Sequence, residues 1–369
     1  MNKQPEDYMN LAFAAAARVS STSPNPRVGC VLVRDGEIVG VGLHEKPGEH
    51  HAEVNALLAA GERARGATAY VSLEPCCHFG RTPPCTQALI AAGVAEVVYA
   101  MPDPNPLVAG KGVQALRAAG IEVSGPLLEA QARQLNRGFI KRMEQGLPYV
   151  RCKLAMSLDG RTAMASGESQ WITGPAARAD VQRLRAESCA VLTGVNTVLQ
   201  DDPALNVRVD AQGVAAEPST LRQPRRVILD SALRTPATAR LLQLPGEVLV
   251  LTASADAAPF ALPGVEVRQL AADRAGRVDL RTAMQCLAQD YQCNEVLLEA
   301  GPTLSGALVQ AGLVDEVIVY IGAKFLGSDA MPLLRLSGLQ HMADQIALDI
   351  VDVTTIDADL RVTARPRSH

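Results

Sequence analysis

The residues best suited to hold a metal and move protons fall in three short stretches: His51-Ala52-Glu53, Pro75-Cys76-Cys77 and Cys85. One imidazole and two thiolates fill three corners of a tetrahedral zinc site and leave the fourth to water, which marks a catalytic rather than a structural metal. Glu53 need not bind the metal and can carry protons between the water and a substrate nitrogen. The side chains of adjacent cysteines diverge, so Cys76 and Cys85 are the expected ligands and Cys77 a packing residue. The alternatives are ordinary buried thiols or a closed structural site with His78 as fourth ligand. Such a site has no use for Glu53, nor for the proline before Cys76.

The order His-x-Glu, Pro-Cys, Cys resembles that of zinc-dependent base deaminases. There the second half is usually Pro-Cys-x-x-Cys, whereas eight residues separate Cys76 from Cys85 here. Gly80 and Pro83-Pro84 make that stretch a loop, and Cys85 opens the following helix.

These residues need elements to position them. The pattern predicts a helix over 7–19, strands over 28–33 and 37–41 joined by an Asp35-Gly36 hairpin turn, and a helix over 52–60 running on from His51. A strand over 69–73 ends at the cysteines. A helix over 85–92, a strand over 94–100, a helix over 112–119 and a strand over 121–123 follow. Alternating strands and helices predict a sheet covered on both faces. The metal ligands then lie at two helix N-termini, where the dipole favours thiolate. A helix over 127–144 leads to Gly146-Leu147-Pro148, and the pattern restarts with a strand over 149–156. This places a boundary between domains 1–146 and 147–369. The second half predicts strands near 189–193, 225–229, 247–251, 295–299 and 315–320, with helices near 174–186, 281–290 and 303–311, making another α/β domain.

Three features of the second half are candidate sites. Gly301-Pro302-Thr303-Leu304-Ser305-Gly306 follows a strand and opens a helix, with the N–H groups of Thr303 to Ser305 expected to face an anion such as a pyrophosphate. Strand-Gly-helix turns also serve close packing, and that reading stays open. Thr193-Gly194-Val195-Asn196-Thr197 runs on to Asp201-Asp202-Pro203 and Arg208. Lys153 precedes Ser157-Leu158-Asp159-Gly160 and a polar loop holding Trp171, the chain's one tryptophan. A lone tryptophan is either core or the wall of a pocket, and its polar neighbours favour the pocket.

The totals narrow the partners. The chain has 369 residues and a net charge of −4, with 3% aromatics. Residues 1–146 carry 14 basic and 14 acidic groups, and the remainder 21 and 25. Neither half has the positive field that binding a polynucleotide needs, so a small substrate is expected and no nucleic acid. Eight cysteines in so long a chain do not form a disulfide framework, which fits a reducing, cytoplasmic setting. The N-terminus reads as a poor secretory signal, no run is long enough to span a membrane, and 211–218 reads as a surface loop.

Together the two halves resemble the bifunctional riboflavin-biosynthesis deaminase/reductases. The matching residues are Pro24-Asn25-Pro26-Arg27-Val28-Gly29, His51 to Leu57, Glu74 to Cys85, Lys153 with Ser157 to Ala163, Ser169-Gln170-Trp171-Ile172-Thr173, Asp201-Asp202-Pro203 and Glu299-Ala300-Gly301-Pro302. The long ligand spacing fits this family's own pattern. The resemblance implies a cytidine-deaminase-like three-layer α/β/α domain, then a dihydrofolate-reductase-like α/β domain. It implies one zinc per chain, NADPH, and a phosphorylated pyrimidine as substrate. The implied reactions are deamination of 2,5-diamino-6-ribosylamino-4(3H)-pyrimidinone 5′-phosphate, then reduction of its ribosyl group to ribityl. Glu53 is the implied catalytic residue and His51, Cys76 and Cys85 the ligands. Among the deaminase substrate contacts, Asn25 resembles a substrate-orienting residue, and His44, His78 and Arg81 resemble groups that hold the ribose phosphate. Ala155, Trp171, Thr197, Asp201 and the turn Gly301, Pro302, Thr303, Leu304, Ser305 resemble NADP contacts. Ser169, Arg185, Leu205, Arg208 and Glu299 resemble reductase substrate contacts, with Arg185 and Arg208 suited to bidentate phosphate binding and Lys153 and Asp201 nearest the sugar. A homodimer or higher homo-oligomer is expected. The rival readings are a nucleoside or tRNA deaminase with an unrelated C-terminal module, and a structural zinc domain fused to a nucleotide-sensing module.

Overall fold

The computed structural model describes residues 3–79, 83–209, 221–255 and 262–367. Arg81 and the 211–218 stretch lie outside the described residues. Internal contacts divide the chain into two units, Met1–Gly146 and Leu147–His369.

The first unit runs α1 (Pro5–Ala17), β1 (Gly29–Arg34), β2 (Glu37–Leu43), α2 (Ala52–Ala60), β3 (Thr68–Val71), α3 (Cys85–Ala92), β4 (Glu96–Tyr99), α4 (Lys111–Ala118), β5 (Glu122–Ser124), α5 (Glu129–Leu135) and α6 (Arg137–Gln145). The sheet order is β2-β1-β3-β4-β5, antiparallel through β3 and parallel beyond it. Asp35 and Gly36 both take positive φ, as a two-residue hairpin turn requires. Alternation along β1 sets the layers. Cys30 and Leu32 pack with α2, α3 and α4, whereas Val31 and Val33 pack with α1, α5 and α6. A strand that is apolar on both faces must be covered on both.

Close packing fixes α2. A Cβ at Gly40 would meet Ala56 O at 2.3 Å, and one at Gly42 would meet Ala52 O at 2.1 Å. Glycines on β2 and alanines on α2 therefore let backbone lie directly on backbone, which holds the N-terminus of α2 in place. The helix expected over 127–144 is in fact two, broken at Asn136. The reason is a tertiary bond. Asn136 Oδ1 accepts from Arg27 N–H at 2.8 Å and its Nδ2 donates to Arg27 O at 2.9 Å, so the side chain serves the 22–27 loop.

The second unit contains β6 (Tyr149–Ser157), β7 (Arg161–Ala163), α7 (Pro175–Glu187), β8 (Ala190–Gly194), α8 (Val195–Asp201), β9 (Arg225–Leu229), α9 (Arg240–Gln243), β10 (Val248–Thr252), β11 (Val265–Gln269), α10 (Leu280–Gln289), β12 (Glu295–Leu298), α11 (Pro302–Gln310), β13 (Glu316–Gly322), β14 (Met331–Pro332), β15 (Leu348–Ile356) and β16 (Asp359–Pro366). Nine strands form one sheet in the order β11-β10-β9-β8-β12-β6-β13-β16-β15. It is parallel from β11 to β13, and β16 and β15 then extend it antiparallel. Val296 and Leu298 pack with α10 and α11 on one face, and Leu297 packs with α7 on the other. The chain passes from β6 to β8 and later returns to lay β12 between them. This brings the carboxyl ends of β6, β8 and β12 together, where open α/β sheets bind ligands.

The sequence pattern does not reveal β11 or the β15–β16 hairpin. β15 is an edge strand with most side chains exposed, and its register shifts between Ile350 and Asp352, so no apolar run or clean alternation marks it.

Candidate active sites

His51 caps α2 and Cys85 is the first residue of α3. His51 Nδ1 lies 3.1 Å from Cys85 Sγ and 3.6 Å from Cys76 Sγ, and the two sulfurs are 3.3 Å apart. With zinc bonds of about 2.0–2.3 Å, tetrahedral edges run about 3.5–3.8 Å, so a zinc ion fits after shifts of a few tenths of an ångström. His78 and Cys77 stand outside this cluster. The cluster therefore offers three ligands, as an open catalytic site does.

The Cys76 thiolate accepts from the Cys85 thiol and backbone N–H and faces His51, which together pull its pKa down to about 4. Glu53 is 3% exposed, and its carboxyl meets the Cys85 thiol. Burial, reinforced by the Cys76 charge, pushes Glu53 up to about 7. A buried carboxyl set against the ligand cluster is placed to take and give a proton there.

Beside the cluster, the buried His44 receives Asn25 Nδ2 at Nε2 (2.9 Å), which leaves its Nδ1 to donate to His50 O (3.2 Å). Its ring meets His51 edge-on with centroids 5.0 Å apart. Asn25 is held indirectly, because Asn136 pins Arg27 and Arg142 Nη2 donates to Pro24 O at 2.8 Å. His78 is half-buried with no hydrogen-bond partner for Nδ1 among the described residues. The sequence reading missed Glu74. This buried carboxylate accepts the N–H groups of Asp103, Gly110 and Val113 at 3.2, 3.0 and 3.2 Å, fixing the loop before α4 beside Pro75-Cys76. Its only sequence signal is an acid ahead of Pro-Cys.

In the second unit Lys153, Ala155, Ser169, Trp171, Arg185, Thr197, Asp201, Leu205, Arg208, Glu299, Gly301 and Pro302 line one cavity of about 450 Å³. Thr303 and Leu304 line a second, of about 350 Å³, which also borders Thr197, Gly301 and Pro302. Trp171 is exposed rather than core, with the Arg178 guanidinium 4.3 Å from its ring centroid. Burial lowers the pKa of Lys153, with Glu299 opposing and Arg185 adding to the effect.

Two expectations need correcting. Arg185 lines the cavity, but its fork is occupied: Nε and Nη2 bind Glu299 at 2.6 and 3.0 Å, and Nη1 binds Asn206 O at 3.1 Å. Arg208 and Arg240 line the same cavity, and neither has a side-chain partner among the described residues, so cations other than Arg185 stay open there. Ser305 lies in neither cavity. Its N–H donates to Gly301 O at 3.2 Å and its hydroxyl to Ala300 O at 3.2 Å, so only Thr303 and Leu304 offer N–H groups that the helix leaves unpaired.

The space around Gly301 bears on the choice between packing and ligand. A Cβ there would meet only Thr197 Oγ1, at 3.9 Å, and its φ of −69° suits any residue. Protein packing does not demand this glycine, and the space it leaves open lies at the helix N-terminus. Gly306 is the contrast, since its Cβ would meet Arg335 O at 2.1 Å. The Ser157–Gly160 turn also proves structural. Asp159 accepts from Leu326 and Gly327 N–H and from the Ser157 hydroxyl, clamping a loop, and none of these four residues lines the cavity.

Comparison with known proteins matches one family model to each unit. Residues 2–101 match the cytidine and deoxycytidylate deaminase zinc-binding region, and residues 148–362 match the RibD C-terminal domain. The chain is 53% identical over 362 residues to the riboflavin biosynthesis protein RibD of Escherichia coli, covering 97% of this chain and 98% of that one. The structure of Acinetobacter baumannii RibD superposes with a TM-score of 0.91 at 50% identity over the whole of both chains. A deaminase/reductase from Thermotoga maritima superposes at 0.86 with 32% identity, covering 98% of this chain and 99% of that one. The chain therefore belongs to the RibD family of bifunctional riboflavin-biosynthesis enzymes, with a zinc-dependent deaminase and an NADPH-dependent reductase in one polypeptide.

Proposed function

We propose that the first unit deaminates 2,5-diamino-6-ribosylamino-4(3H)-pyrimidinone 5′-phosphate and that the second reduces the ribosyl group of the product to ribityl. The observation that carries the first half is the open His51, Cys76, Cys85 cluster with buried Glu53 against it. Zinc held there would supply a Lewis acid that makes water a nucleophile at neutral pH. Glu53 moves the proton released by the attacking water to the ring nitrogen beside the amino-bearing carbon, and then helps ammonia leave. Asn25 and His44, paired to each other, orient the pyrimidine. His78 and Arg81 hold the ribose phosphate.

In the reductase, NADPH supplies the hydride. The chain's own task is positioning. Trp171, Ala155, Thr197 and Asp201 set the nicotinamide half, and Thr303 and Leu304 N–H groups hold the pyrophosphate. Lys153 and Glu299 face the sugar, and Arg208 takes its phosphate. Ser169 and Leu205 close the substrate wall, and the Arg185 pair keeps Glu299 ionised. Burial alone would raise the Glu299 pKa, but Arg185 and then Lys153 outweigh it and hold it low.

A homodimer or higher homo-oligomer is part of this reading. Its support is β15, an edge strand exposing Ile350, Val351 and Val353, the kind of edge that proteins pair or cover. A cytoplasmic location is supported by eight free cysteines. No helix among the described residues is long and apolar enough to cross a membrane.

Product analysis tests the reading. Incubation with the diaminopyrimidine substrate should give only the deaminated ribosyl compound without NADPH, and the ribityl compound with it. Turnover of cytidine, adenosine or guanine with no action on the diaminopyrimidine would overturn it.

A further inference from the structure

The two cavities of the second unit share a wall. Thr197, Gln200, Gly301, Pro302 and Met331 line both, and the first turn of α11 lies on that wall. A dinucleotide with its pyrophosphate at this turn must send one nucleoside into each cavity. The larger one holds Lys153, Arg208 and Glu299, groups suited to a phosphorylated sugar, so the nicotinamide belongs there. The smaller is left for the adenosine end, where NADPH differs from NADH by a single phosphate on the 2′ oxygen.

The charge of the smaller cavity fits that phosphate. Its lining has two cations, Arg277 and Arg335, and one anion, Asp273. Alone, Asp273 would accept from a free 2′-hydroxyl and repel a phosphate. It is fully engaged instead. Arg277 Nε and Nη2 reach its Oδ2 at 3.1 and 3.0 Å, and the N–H groups of Ala275 and Arg277 donate to its Oδ1 at 2.8 and 2.9 Å. Arg335 has no side-chain partner among the described residues. Its backbone is fixed at the turn, because its N–H donates to Pro302 O at 3.0 Å and its carbonyl fills the space that a Cβ on Gly306 would need. The fold thus anchors an unspent guanidinium beside the cofactor turn, with Arg277 neutralising the one acid nearby.

We propose that Arg335, assisted by Arg277, binds the 2′-phosphate and gives the reductase its preference for NADPH over NADH. The proposal rests on the reductase reading above and deepens it. The test is the Kd of each nucleotide, measured by titration calorimetry on the full-length zinc-loaded protein. A paired guanidinium–phosphate contact commands about tenfold or more in affinity. The double variant Arg277→Ala/Arg335→Ala should lose at least that for NADPH and nothing for NADH. Arg335→Lys, which keeps the charge but not the fork, should keep part of the preference. Equal losses for the two nucleotides would mean that the arginines meet only the shared pyrophosphate, and would overturn the proposal. Unchanged NADPH affinity would overturn it as well. A wild type that binds NADPH and NADH equally defeats the selectivity proposal alone, whereas a wild type that binds neither defeats the reductase reading with it.

Discussion

The two sites are built in opposite ways. The deaminase gathers its metal-binding and proton-carrying groups from 35 consecutive residues, His51 to Cys85, and sets them at the N-termini of two helices packed on one sheet. The reductase draws Lys153, Trp171, Arg208 and Glu299 from nearly 150 residues of chain, joined only because β12 returns between β6 and β8. The first site is a motif with a scaffold under it. The second is a product of topology, and its polar groups are partly spent on one another, as in the Arg185–Glu299 pair. A local site should fail sharply when one ligand is removed, whereas a distributed site should fail in separable parts.

The sharpest break expected is Cys85→Ser. Metal analysis should show loss of zinc, and deamination should fall by orders of magnitude with it, while NADPH binding is untouched. Retention of zinc there, with loss in Cys77→Ser, would reverse the ligand assignment. Next comes Gly301→Asp. The protein has room for the side chain, so the variant should fold, yet a carboxylate would sit where the pyrophosphate belongs. NADPH affinity should drop by about a hundredfold or more, which stops reduction at NADPH near the wild-type Kd, with zinc content unchanged. Arg208→Ala should instead raise the KM for the sugar phosphate and leave NADPH affinity intact. If both variants weaken both ligands equally, the reductase site is not divided as described.

The smallest effect sharpens the comparison from the other side. Asn136→Ala removes two bonds to the backbone of Arg27 and frees the loop carrying Asn25. Leaving such buried groups unpaired costs about 1–3 kcal/mol. Chemical denaturation should register that loss, and the KM for the deaminase substrate should rise more than kcat falls. A variant with wild-type stability and KM would show that the loop holds itself.

Legibility followed the same division. His51, Glu53, Cys76 and Cys85 could be read because metal chemistry demands particular residue types at short spacing. The two-faced sheet was readable because both faces of its central strands are apolar. Asn136 and Glu74 were not, because each acts on backbone groups far along the chain and leaves no periodic mark. Ser305 shows a register error of one residue, since counting helical turns from Gly301 decides which N–H groups are free. Arg185 and Arg208 look alike in sequence, and only the fold reveals that Glu299 has claimed one of them. The β15–β16 hairpin escaped because an exposed edge strand has no apolar face to betray it.

The central claim is that two sites in one chain fail independently. Glu53→Gln should keep its zinc, reduce the pre-deaminated substrate and leave the diaminopyrimidine untouched. Gly301→Asp should deaminate but not reduce. Neither variant alone should form the ribityl product from the diaminopyrimidine with NADPH, and an equimolar mixture of the two should form it. If Glu53→Gln deaminates like wild type, or loses reduction of the pre-deaminated substrate as well, the assignment of one site to each unit is contradicted.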